Sequence, residues 1–525
     1  MTGLAVERVE APVTVKAYLM CAFAAFAGIL FGFDSGYING ILGTNFVKQN
    51  FGEPTTDLDR YPTGYFISAS NTSLVVSILS AGTFFGALFS GALADWFGRR
   101  TTIIAGCGVF VIGVILQVAS TAIPLLAVGR FIAGIGVGFV SAINILYMSE
   151  VAPKKVRGAI VSCYQFAITI GLMLAAIVTN AVNGRTDTGS YRIPIGIQFV
   201  FAIILSVGLF LLPESPRYFV KKQRLDEAVK ALARVRGQPA DSDYIQDELA
   251  EIQANFEYEM QVGEVSWIGC FKGGLGKRNS NVRKVLVGVA LQMFQQWTGV
   301  NFIFYYSTTF FQLIGIKDAF LISMITTIVN VCSTPVSFWT IERFGRRPLL
   351  FWGAVFMCLC EFIVAIIGAA TDSGQNGNGN AQRAMIAFVC IYIFWFASTW
   401  GPGAWVVIGE IFPLPIRSKG VAMSTASNWF WNCIIGVITP YLMAPEYADL
   451  KTRVFFIWGS TCATCAIFAY FMVHETKGLS LEQVDKMMDE VTARKSAGWK
   501  PSTTFASEMG IKQGTTVTEL AEHKA

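Results

Sequence analysis

The chain has 525 residues, 53% of them hydrophobic and only 14% charged, with 42 phenylalanines. A soluble protein of this length would divide into several domains with far more surface charge, so that class is excluded. The formal net charge of +5 is not a nucleic-acid signal, and no nucleic-acid partner is expected; where the cations fall matters more.

Runs of about 20 mostly apolar residues recur along the chain, and each is long enough to cross a bilayer as a helix. Twelve spans are predicted: 17–40, 66–91, 101–120, 122–149, 158–182, 193–212, 284–314, 319–341, 348–369, 384–408, 420–443 and 452–473. Backbone groups in lipid must be satisfied internally, and these runs are too long for barrel strands, so the spans are helices. Before them, residues 1–16 form a polar lead with Glu7, Arg8, Glu10 and Lys16. The first apolar run after it is of span length, so no cleavable signal is expected. In the second span Gly82, Gly86 and Ser90 are spaced by four, and in the fourth Gly134, Gly136 and Gly138 alternate. Small residues of this kind favour close helix packing. Segment 213–283 is the largest charged insertion. Within it, 224–260 has helical spacing, with Leu225, Ala228, Val229 and Leu232 on one face, and predicts short amphipathic helices. TDSGQNGNGN at 371–380 reads as a flexible loop, and the polar tail 474–525 as disordered after about residue 495. The expected organisation is a lead (1–16), a six-helix bundle (17–212), a helical linker (213–283), a second six-helix bundle (284–473) and a tail (474–525).

The halves repeat one another. DWFGRR at 95–100 returns as ERFGRR at 342–347. Glu150, Pro153 and Arg157 return with the same offsets as Glu410, Pro413 and Arg417. PESPR at 213–217 is echoed by HETKG at 474–478. Each pair is displaced by about 250–260 residues, which suggests a duplicated transporter with its site between the halves. Arg99, Arg100, Lys154, Lys155, Arg157, Arg343, Arg346, Arg347, Arg417 and Lys419 all fall on the side of segment 213–283. The opposite loops hold few cations. The positive-inside rule places the basic side, and with an even span count both termini, in the cytoplasm. Of eleven cysteines only Cys270 lies outside the spans, so no disulfide framework is available.

Two histidines, His474 and His523, leave no Ser-His-Asp arrangement inside the membrane and no metal cluster. GGLGK at 273–277 fails as a phosphate loop, because Phe271 holds the earlier glycine position and Arg278 follows the lysine. No enzyme, metal or cofactor is expected, and energy for transport must come from a gradient.

Ionisable residues within spans are functional candidates by default. Asp34 lies deep in the first span and Arg130 early in the fourth. Facing each other, each lowers the other's cost of burial, either as a static pair or as a proton switch in which protonating Asp34 releases Arg130. Glu361 in the ninth span has no evident partner. Amides form a second group: Gln295, Gln296 and Asn301 beside Tyr305 and Tyr306, with Gln165, Asn330 and Asn428 in other spans near Phe31, Trp405 and Trp429. An amide donates and accepts, as a sugar hydroxyl does, and aromatic faces cover the apolar side of a pyranose. The alternative is hydrogen bonding between helices. Asp95 and Glu342, beside Arg99, Arg100, Arg346 and Arg347, suggest a salt-bridge latch, as do Glu150 and Glu410 near Arg157 and Arg417. Glu214, Arg217 and Glu475 extend it. The alternative for these charges is topology setting alone.

Together GRFIAGIGVG (129–138), EVAPKKVRG (150–158), PESPR (213–217), QQWTGVNFIFYYS (295–307), ERFGRR (342–347), WGPGAW (400–405) and EIFPLPIRSKG (410–420) resemble the sugar porter family of the major facilitator superfamily over about residues 17–480. FGFDSGYING (31–40) is most similar to fungal hexose/proton symporters. The resemblance implies an all-α membrane protein with twelve helices in two pseudo-symmetric six-helix bundles, a central sugar site and alternating access. It places Gln165, Gln295, Gln296, Asn301, Asn330, Trp405 and Asn428 on sugar-binding positions and Asp34 with Arg130 on the proton-coupling pair. Ala397 stands where animal facilitators have glutamate, and His474 where the family has proline. The implied function is uptake of a monosaccharide with a proton at the plasma membrane, with a monomer as the expected unit. A passive hexose facilitator and a transporter-like sugar sensor are the alternatives.

Overall fold

Each apolar run is helical in the computed structural model, which describes residues 14–56, 64–153, 156–262, 267–271, 274, 280–313, 319–371, 379–413, 415–443, 447–448 and 450–500. In the first half, α1 (Val15–Ala25) and α2 (Ala27–Gly43) make the first crossing, and α3 (Asn45–Phe51) caps its end. A two-residue antiparallel ladder, Glu53–Pro54 with Tyr65–Phe66, leads to α4 (Ala69–Phe97). Then come α5 (Arg99–Ala119), α6 (Ile123–Val151), α7 (Arg157–Val182) and α8 (Gly189–Leu211). The linker holds α9 (Pro216–Lys221), α10 (Leu225–Arg236) and α11 (Asp243–Val262). Its apolar stripes close on each other, with Ala228 and Leu232 against Ile245, Leu249 and Phe256 in a core separate from the main one.

In the second half, α12 (Asn281–Gln296) and α13 (Val300–Leu313) form one broken crossing, and α14 (Ala319–Ser333) with α15 (Val336–Phe344) a bent one. α16 (Arg346–Thr371) follows. α17 (Gly379–Trp395) runs through a π turn at Phe396–Trp400 into α18 (Gly401–Glu410). α19 (Arg417–Met443) and α20 (Val454–Met472) complete the bundle. After it, α21 (Leu481–Glu490) has a Ser480/Gln483 capping box, and Val484, Met487 and Met488 are buried against the main core.

Among the described residues, nine helices are long and apolar enough to cross a membrane, and the α14–α15 pair, bent by 45°, makes a tenth. The two remaining segments of the twelve-helix architecture are α12–α13 and α19. The first is broken, and the second is rich in Ser, Thr and Asn. The small-residue stripes of α4 and α6 face one another so closely that a β-carbon on Gly134 would lie 2.2 Å from the Leu79 carbonyl. Large apolar side chains such as Phe89, Ile115 and Val207 point outward, as a lipid-facing surface requires.

In the described part of the tail, residues 493–498 form a 3₁₀ segment, and Ser496 Oγ accepts from the Glu475 N–H at 2.8 Å. The remaining tail, most of the lead, Lys154, Lys155, most of GGLGK and most of the 371–380 loop lie outside the described residues.

Candidate functional site

A cavity lies between the halves, among the helices of a bundle, a common place for small-molecule sites. Phe31 and Ser35 of α2 and Gln165, Ile168 and Leu172 of α7 line it from one half. Gln295 and Gln296 of α12, Asn301, Phe304 and Tyr305 of α13, Phe396, Trp405 of α18, and Asn428 and Asn432 of α19 line it from the other. Two irregularities aim these groups inward. At the α12–α13 break Gly299 has φ +82°, and a β-carbon there would meet the Trp458 side chain at 2.7 Å, so glycine suits both the conformation and the space. At the π turn the helical hydrogen-bond pattern shifts, and π-bulges of this kind occur often at functional sites. The carbonyls of Trp400 and Gly401 accept from Gln295 Nε2 at 3.1 and 2.9 Å.

The amides form one network. Asn428 Nδ2 donates to Gln292 and Gln295, both at 2.7 Å. Gln296 Oε1 accepts from Asn301 and, at 3.2 Å, from Asn432. Across the halves, Trp405 Nε1 donates to Gln165 Oε1 at 3.2 Å and Ser80 Oγ to Asn432 Oδ1 at 2.7 Å. Seven of the residues singled out from sequence, Phe31, Gln165, Gln295, Gln296, Asn301, Trp405 and Asn428, therefore surround one space. Trp429 does not line it; it packs on Phe31 with ring centroids 4.8 Å apart and donates to Ser141. Asn330 of α14 is fully buried and is not among the residues that line the cavity, with neither amide atom hydrogen-bonded. Sequence reasoning missed Asn432, although it stands one helical turn after Asn428 on the same face.

Asp34 and Arg130 are both buried but form no direct pair. Arg130 donates to the Val75 carbonyl at 2.7 Å and to the Tyr37 hydroxyl at 2.6 Å, with its guanidinium 5.4 Å from the Tyr37 ring centre. Tyr37 in turn donates to Gln117 Oε1 at 2.5 Å. Both Asp34 carboxyl oxygens are without a hydrogen-bond partner. The face-to-face pair expected from sequence is thus corrected. Tyr37, one turn after Asp34 on α2, holds the arginine, and no charge pattern points to it.

On the basic face the repeat is three-dimensional. Arg99 grips Glu150 with two hydrogen bonds of 3.1 and 3.0 Å, and Arg346 grips Glu410 with two of 3.2 and 2.9 Å. Each arginine also donates to a carbonyl five residues back, Ala94 or Ile341. Glu214 accepts from the N–H groups of Arg99 and Arg100 at 2.9 and 3.0 Å, and Glu475 from those of Arg346 and Arg347 at 3.0 and 3.2 Å. These carboxylates sit at helix N-termini. The preceding glycines, Gly98 and Gly345, have φ +98° and +92°, and a β-carbon on either would strike the carboxylate at 2.4 or 2.3 Å. Ser215 and Thr476 complete the match by donating to Glu150 and Glu410.

Spacing alone puts Arg157 and Arg417 beside those glutamates. The bidentate partners are instead Arg99 and Arg346, because the starts of α5 and α16 cross the ends of α6 and α18. Arg157 opens α7 and is buried. Arg417 donates to Phe412 O and acts on the charge of Glu150 from the other half. Arg217 donates to Glu150 O, Arg100 to Leu212 O and Arg347 to Tyr470 O. Two acids connect the halves. Asp95 accepts from Ser418 at 2.6 Å and Lys419 at 3.4 Å in the first turn of α19, and Glu342 accepts from the Ala159 N–H at 3.2 Å in the first turn of α7. Asp95 also pairs with Arg99 and with Lys221, and Glu342 with Arg346. Burial outweighs that pairing and lowers the Lys221 ammonium from its usual 10.5 to about 8.

A family model for sugar (and other) transporters matches residues 20–488. The major facilitator-type transporter ecdD of Aspergillus rugulosus is 47% identical over 496 residues, 92% of this chain and 90% of its own. The probable glucose transporter rco-3 of Neurospora crassa is 42% identical, covering 95% of this chain and 84% of its own. The high glucose sensor RGT2 of Saccharomyces cerevisiae is 40% identical over 90% of this chain and 61% of the sensor. Among solved structures, the proton:xylose symporter XylE from E. coli, bound to 6-bromo-6-deoxy-D-glucose, superposes with a TM-score of 0.76 at 25% identity, covering 90% of this chain and 99% of its own. The duplicated bundles, the cavity between them and the match over nearly the whole chain lead to one assignment: the chain belongs to the sugar transporter family of the major facilitator superfamily.

Proposed function

We propose that the chain moves glucose or a related hexose into the cell together with a proton, by alternating access of the central cavity at the plasma membrane. The observation that carries the sugar reading is the cavity lining. It is built from amides, a tyrosine and tryptophan, with no charged side chain among its described residues. Such a wall suits a neutral polyol and offers a phosphate or carboxylate no cation to neutralise it. The similarity to a probable glucose transporter and to a proton:xylose symporter supports the same substrate class and coupling ion.

For coupling, Asp34 is the proton acceptor and Arg130 its counterpart. With Arg130 docked on Tyr37, Asp34 is free to take a proton; release of the arginine toward the carboxylate then favours the opposite opening. The basic face is cytoplasmic by the positive-inside rule, with both termini there. The contacts of Asp95 and Glu342 across the halves hold that face shut. A monomer holds every residue this cycle requires.

The test is uptake of labelled hexose in transporter-deficient cells. Accumulation above equilibrium, abolished by a protonophore, is expected. Asp34→Asn loses accumulation and keeps sugar exchange, and full accumulation by that variant sinks the proton role. Protonophore-insensitive equilibration identifies a passive facilitator. Sugar binding without uptake identifies a sensor, the reading favoured by the similarity to RGT2.

A further inference from the structure

One buried acid has no part in the coupling pair or the charged network. Glu361 lies mid-way along α16, 2% exposed, with Oε2 free of any hydrogen bond. Its contact is Cys462 of α20. The titratable groups around it are Cys358 and Cys360 on its own helix, Tyr392 on α17, and Cys462 and Cys465 on α20. None of these is a cation. A carboxyl at this depth costs far more than a leucine of similar size, so its presence points to a task leucine cannot perform.

The task is visible at the break between α12 and α13. A broken helix in a membrane leaves carbonyls that other side chains must satisfy. Thr461 Oγ1 donates to Trp297 O at 2.5 Å, and Tyr392 donates to Thr298 O at 2.7 Å. Cys462 Sγ lies 3.8 Å from Thr298 O. Glu361 Oε1 stands 3.1 Å from the point a β-carbon of Gly299 would occupy. Three helices, α16, α17 and α20, thus close a buried polar clasp on three residues. The cavity amides lie directly on either side, with Gln295 and Gln296 before the break and Asn301 after it.

We propose that Glu361 is a positioning residue of the sugar site. Through Cys462 and the backbone at Thr298–Gly299 it fixes the angle of α13 against α12, and so the spacing of Gln295 and Gln296 from Asn301. It works as an uncharged hydrogen-bonding group and touches no substrate. The inference rests on the cavity's being the sugar site.

The experiment compares Glu361→Gln, Glu361→Leu and Tyr392→Phe in the same uptake assay, normalised to surface protein. Glu361→Leu is expected to raise the KM for hexose by about fivefold, the scale of removing one buried hydrogen bond, with a smaller change in Vmax. Glu361→Gln keeps the wild-type KM and the wild-type pH profile. A wild-type KM in Glu361→Leu overturns the proposal, and so does a Gln variant as impaired as the Leu variant. If Glu361→Leu fails to reach the surface, Tyr392→Phe decides: a raised KM supports the clasp and an unchanged one overturns it. A wild-type chain that takes up no hexose defeats the proposed function and the clasp with it, whereas wild-type uptake with indifferent variants defeats the clasp alone.

Discussion

Gln296 is the amide with the most to lose at the cavity wall. Its carbonyl oxygen already serves Asn301 and Asn432, and its NH₂ group donates one long hydrogen bond, 3.5 Å, to Gln295 Oε1, which leaves the second N–H to meet a hydroxyl. Gln296→Ala is expected to weaken sugar binding by about 1–3 kcal/mol, the cost of removing one buried polar interaction, read as a shift in the competition constant of an unlabelled hexose. Unchanged affinity removes it from the site. Which residues can be read from sequence follows from the chemistry. Amides inside an apolar run are conspicuous, so most of the lining is legible. Asp34 and Arg130 are conspicuous for the same reason, but their relation is not. Tyr37 is an ordinary membrane aromatic in sequence, and only its 2.6 Å contact with Arg130 reveals it as the arginine's holder. Asn330 shows the converse, since an amide in a span says nothing about the side it faces.

At the scale of elements, helices are legible because a bilayer fixes their length. Their ends and breaks are less so. Gln-Gln-Trp-Thr-Gly shows no charge or proline to announce a break, and the turn at Gly299 depends on what surrounds it. The polar tail before residue 495 docks on the bundle: α21 buries Val484, Met487 and Met488, and Lys284 of α12 pairs with Asp485. His474 sits at the start of this docked segment. Burial first, then the Arg283 and Lys284 cations, hold its imidazole down at about 4 against the ordinary 6.5. The unfolded chain takes up that proton near pH 6.5 while the folded one does so only near 4. The stability contributed is therefore intact above 6.5 and lost as pH falls toward 4, by roughly 3 kcal/mol in all. Thermal unfolding in detergent at about pH 7 and about pH 4.5 tests this. His474→Leu should lose clearly less stability on acidification than the wild type, and an equal loss in both would rule the histidine out.

For the whole molecule, the duplication is plain in sequence, but the pairing inside it is not. At least three arginines and three acids per half allow several matchings, and the crossing of α5 over α6 and of α16 over α18 selects one. Most of the resulting ion pairs lie within a half and hold it rigid. The halves meet on the basic face through Asp95 and Glu342, each aimed at a helix N-terminus, where the backbone dipole favours an anion. Asp95→Asn should loosen that contact. Hydrogen–deuterium exchange is expected to quicken in the first turn of α19, around Ser418 and Lys419, while mid-helix α20 stays unchanged. Equal protection in both proteins would mean that Asp95 does not hold the face.

The two segments that fall outside the ten apolar crossings, α12–α13 and α19, have a consequence for how the chain is made. α19 carries Ser424, Thr425, Ser427, Asn428 and Asn432 along its length, behind Arg417 and Lys419 in its first turn. Alone in lipid, such a helix gains little from entering the bilayer. Its polar side finds partners on α4, where Ser80 meets Asn432. There a β-carbon on Gly91 would lie 3.0 Å from the Ser418 carbonyl, a measure of how near the two backbones come. The half synthesised first is all conventional spans, and it stands ready as the surface on which the more polar half is laid. Reversing the order of the halves in the gene would send the amides into lipid before any partner existed to receive them.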